Sequence, residues 1–204
     1  MGFYRNYVVP WLTHLSMQQA QLVPYRKRVV SGATGQVLEI GIGSGLNLPF
    51  YSQSVKQIIG IDPSPKLLEM AQGAATQSSP SVGLMEGTAE AIPLGNGSID
   101  TVVTTWTMCS IPNLDQALEE IHRVLRPGGR LLFVEHGLSP EPRVRWWQDR
   151  LTPAWTHLSG GCHLNRAIED VIKRAGFSIE QVHKGYLPGP KLMTFMYEGV
   201  ARPR

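Results

Sequence analysis

The chain has 204 residues, 42% hydrophobic and 17% charged, which suits one domain with a sizeable core and excludes two independent catalytic domains, a disordered chain or a coiled coil. A net charge of +3 is too small an excess to point to nucleic acid. The apolar stretches of the N-terminal region are broken far short of the ~20 residues that cross a bilayer, so no transmembrane segment is expected.

Residues 1–35 place Tyr7, Trp11, Leu12 and Leu15 at helical spacing ahead of the basic run Arg26-Lys27-Arg28, which predicts one or two helices covering the main fold. The same helices would suit a lid over a small-molecule site. From Gln36 the chain alternates. Short β-branched runs at 36–41, 57–62, 81–86, 100–106 and 130–137 read as strands, separated by helical patterns at 64–75 and 113–126. The second pattern sets Leu114, Ala117, Leu118, Ile121, Val124 and Leu125 on one face, with Asn113 as N-cap and Pro127-Gly128-Gly129 as the stop. Strand and helix in alternation predict an α/β domain with a parallel sheet covered on both faces.

Residues 137–163 have another texture, with Trp146, Trp147 and Trp155 among prolines and Gly160-Gly161, and read as an insertion. A helix at 164–176, a strand at 177–183 and a last strand at 191–201 follow, the last expected to insert antiparallel. The organisation is thus a single domain: cover 1–35, core 36–136, insertion 137–163, C-terminal helix and hairpin 164–204.

The chemistry starts at Glu39-Ile40-Gly41-Ile42-Gly43-Ser44-Gly45, where a buried strand runs into a glycine loop. Glycines there let a ligand approach the backbone. Asp62, after the second strand and 19 positions beyond Gly43, is placed to accept both hydroxyls of a ribose, so the pair predicts a nucleoside cofactor. The dinucleotide fingerprint needs a further glycine where Leu46 and Leu48 stand. Glu39 would repel a pyrophosphate and could meet the ammonium of an amino-acid moiety, which points to S-adenosylmethionine, leaving S-adenosylhomocysteine as product.

At these residues the chain resembles the class I methyltransferase family. Glu39, Gly41, Gly43 and Gly45 match its first motif and Asp62 its second, with Pro63 beside it. Glu86-Gly87-Thr88-Ala89-Glu90 resembles the third, although Thr88 stands where relatives more often have aspartate, leaving the Ala89 backbone N–H as the adenine donor. The resemblance implies a Rossmann-like seven-stranded, mostly parallel sheet with an antiparallel last strand. It also implies Glu39, Gly41, Gly43, Gly45, Asp62, Pro63, Thr88, Ala89, Glu90 and Thr105 as cofactor-binding residues.

Met108-Cys109-Ser110-Ile111, Arg126-Pro127-Gly128-Gly129, Glu135-His136, Trp147-Gln148, Pro153-x-Trp155 and Gly161-Cys162-x-Leu164-x-Arg166 are similar to a methyltransferase-like family whose mammalian members are membrane-associated alkyl-thiol S-methyltransferases. Those relatives begin with a hydrophobic anchor that does not open this chain, so membrane residence is not expected. The two cysteines, without a cleavable leader, suit free thiols in the cytoplasm. A small, rather apolar acceptor is expected, a thiol first. An oxygen or nitrogen acceptor such as a quinone-like ring or lipid head group is the alternative, and a nicotinamide oxidoreductase or a non-catalytic binding protein is a different class.

His136, at a strand end where open α/β sheets place ligands, is the expected base, with Glu135 binding the acceptor or orienting an imidazole. Equally, His136 could be a hydrogen-bonded structural residue. Cys109, Trp147 and Trp155 are the expected acceptor-binding residues, the alternative being burial in a core beneath a long loop. No metal site is expected, because Cys162, His163 and His157 lack paired C-x-x-C or H-x-x-x-H spacing.

Overall fold

The computed structural model describes residues 4–204, apart from the side chains of Arg5 and Asn6, so the first three residues of the expected cover lie outside the described residues. Seven strands form one sheet: β1 (Gly35–Ile40), β2 (Val55–Asp62), β3 (Ser81–Glu86), β4 (Ile99–Thr105), β5 (Leu125–His136), β6 (Phe177–Tyr186) and β7 (Phe195–Pro203). Their order is β3-β2-β1-β4-β5-β7-β6. The first five pair in parallel, and β7 lies antiparallel between β5 and β6. The sheet turns from one winding direction to the other between β1 and β4, and at such a switch point the carboxyl ends of the strands leave a crevice.

Helices α1 (Val9–Met17) and α2 (Val23–Ser31) precede the sheet, and α3 (Pro65–Gln77), α4 (Leu114–Val124), α5 (Pro142–Leu158), α6 (Ile168–Arg174) and the single turn α7 (Lys191–Thr194) follow within it. The periodicity of α4 is realised: Leu114, Ala117, Leu118, Ile121 and Val124 are buried, and the Asn113 side chain accepts the Gln116 N–H at 3.2 Å as the N-cap. Each of its larger apolar side chains contributes about 1.5–3 kcal/mol by leaving water. On one face of the sheet they meet Leu38, Val102, Leu131 and Phe133; the other face packs Val37, Ile58, Val103 and Leu132 under α2 and α3. This sandwich fixes the strand ends.

Several boundaries differ from the sequence reading: β5 already begins at Leu125 rather than at 130, and α6 is shorter than the expected 164–176. The last strand begins at Phe195, because Lys191–Thr194 form a helical turn after Pro190. The stretch 137–163 is mostly a 17-residue helix, α5, with Pro153 inside it. Gln148 anchors α5: its side chain accepts from Ser139 N at 2.9 Å and donates to Gly137 O at 3.1 Å and Leu192 O at 3.0 Å. Among the described residues no helix is long and apolar enough to cross a membrane.

Candidate active site

The glycine loop sits at the carboxyl end of β1. Gly41 has φ +67°, and a Cβ there would lie 2.3 Å from Thr107 Oγ1, so only glycine admits the turn that follows β4. Gly43 has φ +57°, but a Cβ on it would meet nothing nearer than a backbone oxygen 3.9 Å away; space opens above the loop where a ligand would lie. Asp62 ends β2 beside it and accepts the N–H of Gly43 at 3.0 Å and of Ser64 at 2.8 Å. Burial raises its carboxyl above the usual range against these two bonds.

Glu39, on β1 ahead of the loop, is 1% exposed. Asn47 Nδ2 donates to it at 2.8 Å and the Tyr51 hydroxyl at 2.7 Å, yet burial outweighs both bonds and pushes its carboxyl up to about 7. Asn47 also donates to Thr105 Oγ1 at 2.9 Å, joining β1 to β4. From the N-terminal cover, Arg26 donates to Asn47 Oδ1 at 2.8 Å and stacks 4.8 Å over the Trp106 ring. Burial pushes its guanidinium down to about 10. His14 of α1 is 2.6 Å from Ser44 Oγ in the glycine loop. The cover thus reaches into the crevice. His14, Arg26, Asn47 and Tyr51 were not singled out from sequence; the basic run around Arg26 was the sole local signal, since the other three act through partners far away in the chain.

Of the third motif, Thr88 is exposed and Ala89 is buried, while Glu90 turns to α4, accepting from Asn113 N at 3.3 Å. Pro63 lies exposed beside Asp62.

The other side of the crevice gathers residues from three segments. Glu135 of β5 is fully buried and accepts the Thr107 N–H at 3.0 Å, with the Met108 and Cys109 amides also favouring its charged form. It holds the turn after β4 through Oε1. Burial still pushes the carboxyl up to about 7, and among the described residues Oε2 has no partner. His136 Nε2 lies 3.0 Å from Cys162 Sγ, and its Nδ1 is buried without a partner among the described residues. Cys109 is 3% exposed beside them. One donor atom each from Cys109, His136 and Cys162 fall within 4.8 Å of one another. The neighbouring Cys109 sulfur, with burial, pushes the Cys162 thiol well above its usual range. The sequence spacing hid this cluster because its members come from different strands and loops. Arg166 donates to the carbonyls of Met108 and Ile111.

Trp147 projects from α5 against Trp146, both about half exposed, so neither is a core residue beneath a long loop. Trp155 is half-buried with its indole nitrogen enclosed and unpartnered. A surface cavity of about 310 Å³ lined by Lys56, Asp100, Arg126 and Arg130 lies at the opposite, amino end of the strands, away from this chemistry.

Residues 38–133 match the family described as Methyltransferase domain. A thiol S-methyltransferase of Homo sapiens, TMT1B, is 34% identical over 178 residues, covering 80% of this chain and 72% of that protein. Its human counterpart TMT1A is 34% identical over 156 residues, covering 72% and 63%. The chain belongs to the S-adenosylmethionine-dependent methyltransferases. Solved structures agree on the fold: such an enzyme from Thermotoga maritima superposes with a TM-score of 0.67 at 20% identity, covering 97% of this chain and 96% of that one. Another, from Mesorhizobium loti, gives 0.66 at 17%, covering 91% and 100%. The methyltransferase crevice fits its cofactor: the open side of Gly43, the buried Asp62 carboxyl and the polar chamber of Glu39 lie together at the carboxyl ends of β1 and β2.

Proposed function

We propose that this methyltransferase transfers the methyl group to the sulfur of a small, rather apolar thiol. What carries the reading is the acceptor wall, built from sulfur and imidazole at Cys109, His136 and Cys162, together with the thiol acceptors named for its relatives. The bound cofactor supplies an electrophilic methyl on a sulfonium, open to in-line attack.

On the cofactor side, Asp62 accepts ribose hydroxyls, the Gly41, Gly43 and Gly45 loop gives the backbone surface, and Glu39 with Asn47 faces the amino-acid end. Pro63, Thr88, Ala89, Glu90 and Thr105 complete the walls, and Arg26 carries the positive charge that an α-carboxylate would meet. On the other side His136 activates the acceptor, since the thiolate is the nucleophile and a thiol of ordinary pKa, about 8.5, is mostly protonated at neutral pH. Holding the sulfur behind the methyl carbon supplies the remaining advantage, because alignment converts a bimolecular step into a local one. The α1–α2 cover shields the cofactor from water.

The test is a methyl-transfer screen of thiols, phenols and amines with mass detection. Thiols are expected to lead; preference for phenols or amines overturns the acceptor assignment. Asp62→Ala is expected to abolish the calorimetric response to S-adenosylmethionine, and His136→Ala to cut turnover while sparing that response.

A further inference from the structure

Cys109, His136 and Cys162 reach one point from three places: the turn after β4, the end of β5 and the loop after α5. The placement is braced. His163 N donates to Cys109 O at 2.8 Å, and Arg166 holds the carbonyls on either side of that cysteine, so the loop bearing Cys162 and the turn bearing Cys109 move as one body. Gly161 makes the approach possible: a Cβ there would lie 3.2 Å from Ser110 O, at φ +100°. At the centre, the imidazole of His136 is over nine-tenths buried, its Nε2 on a sulfur and its Nδ1 with no partner among the described residues.

Two thiols and an imidazole form a soft donor set. Around a tetrahedral zinc-class cation, sulfur bonds of about 2.3 Å and a nitrogen bond of about 2.0 Å put the ligand atoms roughly 3.5–3.8 Å apart. Donors already within 4.8 Å meet that with small side-chain adjustments. Charge favours it as well. A dication cancels two thiolates, leaving the three ligands and the ion together neutral. Carboxylate-rich sites that suit magnesium or calcium are of another chemistry.

We propose that Cys109, His136 and Cys162 bind a zinc-class divalent cation, whose fourth position accepts the acceptor thiol as a thiolate. Three protein ligands with one position left for substrate is the arrangement of catalytic rather than structural zinc. On coordination the acceptor's S–H bond breaks and its proton leaves to solvent, while the sulfur keeps its electron pair and a second lone pair for the methyl carbon. The cation thus becomes the means by which His136 acts. This inference rests on the thiol-acceptor reading and gives it a mechanism of recognition: ligands are selected by sulfur, with the apolar remainder of the acceptor left to the crevice.

The test uses the full chain, stripped by a chelator and kept under a phosphine reductant, titrated with Co²⁺ alone as the probe. A thiolate-to-cobalt charge-transfer band saturating at one equivalent is expected, bleached by Zn²⁺ and reduced by roughly half or lost in Cys162→Ser. A simple alkyl thiol should then raise the band by about half as a third thiolate joins. The absence of a saturable band, a band that Cys109→Ser and Cys162→Ser both leave intact, or one indifferent to added thiol overturns the proposal. Cys162 is the more exposed of the two, so its variant keeps the test meaningful where Cys109→Ser fails to fold. Comparing stripped and zinc-loaded enzyme separates the two readings. Equal thiol methylation by both overturns the cation while the thiol acceptor stands; a thiol-responsive cobalt band without thiol methylation supports the site and removes the acceptor assignment.

Discussion

Replacing Glu135 by glutamine should alter how stability depends on pH more than it alters the fold. The side chain is fully buried, and its Oε1 accepts the Thr107 N–H, a bond that an amide oxygen can keep. Burial pushes its folded-state carboxyl up from 4.5 to about 7. A carboxyl raised in this way keeps its proton in the folded state while the unfolded chain releases it, so the wild type loses stability as pH rises from about 4.5 and the loss is complete just above pH 7. A shift of roughly 2.5 units at about 1.4 kcal/mol each gives about 3 kcal/mol. The amide has no such titration. Urea unfolding of both proteins, without cofactor, at steps from about pH 4.5 to 8 should show the variant gaining about 3 kcal/mol on the wild type across that window. A constant offset over the whole range would refute the reasoning. It would mean that Glu135 is ionised in the folded protein, held so by the three amides of the turn. Glu39, also raised to about 7 by burial, should behave alike in Glu39→Gln, and the two effects should add because the groups sit on different strands.

Three further outcomes follow from contacts. Gly41→Ala drives a Cβ into Thr107 and is expected to cost about 2 kcal/mol or more by thermal unfolding, whereas Gly43→Ala, free of that clash, should cost less stability and weaken S-adenosylmethionine binding more. Leu118→Ala empties a fully buried position of α4 and should cost about 2–5 kcal/mol in urea with little change in calorimetric cofactor affinity. His14→Ala removes the contact with Ser44 that ties α1 to the glycine loop, and a roughly threefold to tenfold weaker S-adenosylmethionine Kd is expected at near-constant Tm.

Periodicity made the sheet and α4 legible, because a two-residue or 3.6-residue rhythm is a local consequence of which face is buried. The glycine loop and Asp62 were legible for the same reason: they lie on short segments whose backbone demands are written in residue type. α5 was hidden by Pro153, which lacks an amide hydrogen and reads as a breaker, and by its anchoring through the polar Gln148 rather than an apolar stripe. Arg26 and His14 carried no legible role because only the folded chain brings Asn47 and Ser44 against them. The Cys109, His136 and Cys162 cluster escaped a search for ligand spacing because spacing rules describe sites built on one hairpin or one helix.

The position of β7 between β5 and β6 has a consequence for synthesis. As the chain leaves the ribosome, β5 emerges with one side paired to β4 and the other side open, and it stays so through α5, α6 and β6, until the strand meant for it arrives. β6 has no partner in the sheet except β7, so it cannot dock first. The nascent protein therefore carries an unprotected apolar strand edge, with Phe133 and Val134 on it, from the emergence of His136 until that of Phe195. Overproduction should be most hazardous in that interval, and slowing translation ahead of Phe195 should increase aggregation more than slowing it ahead of Leu114.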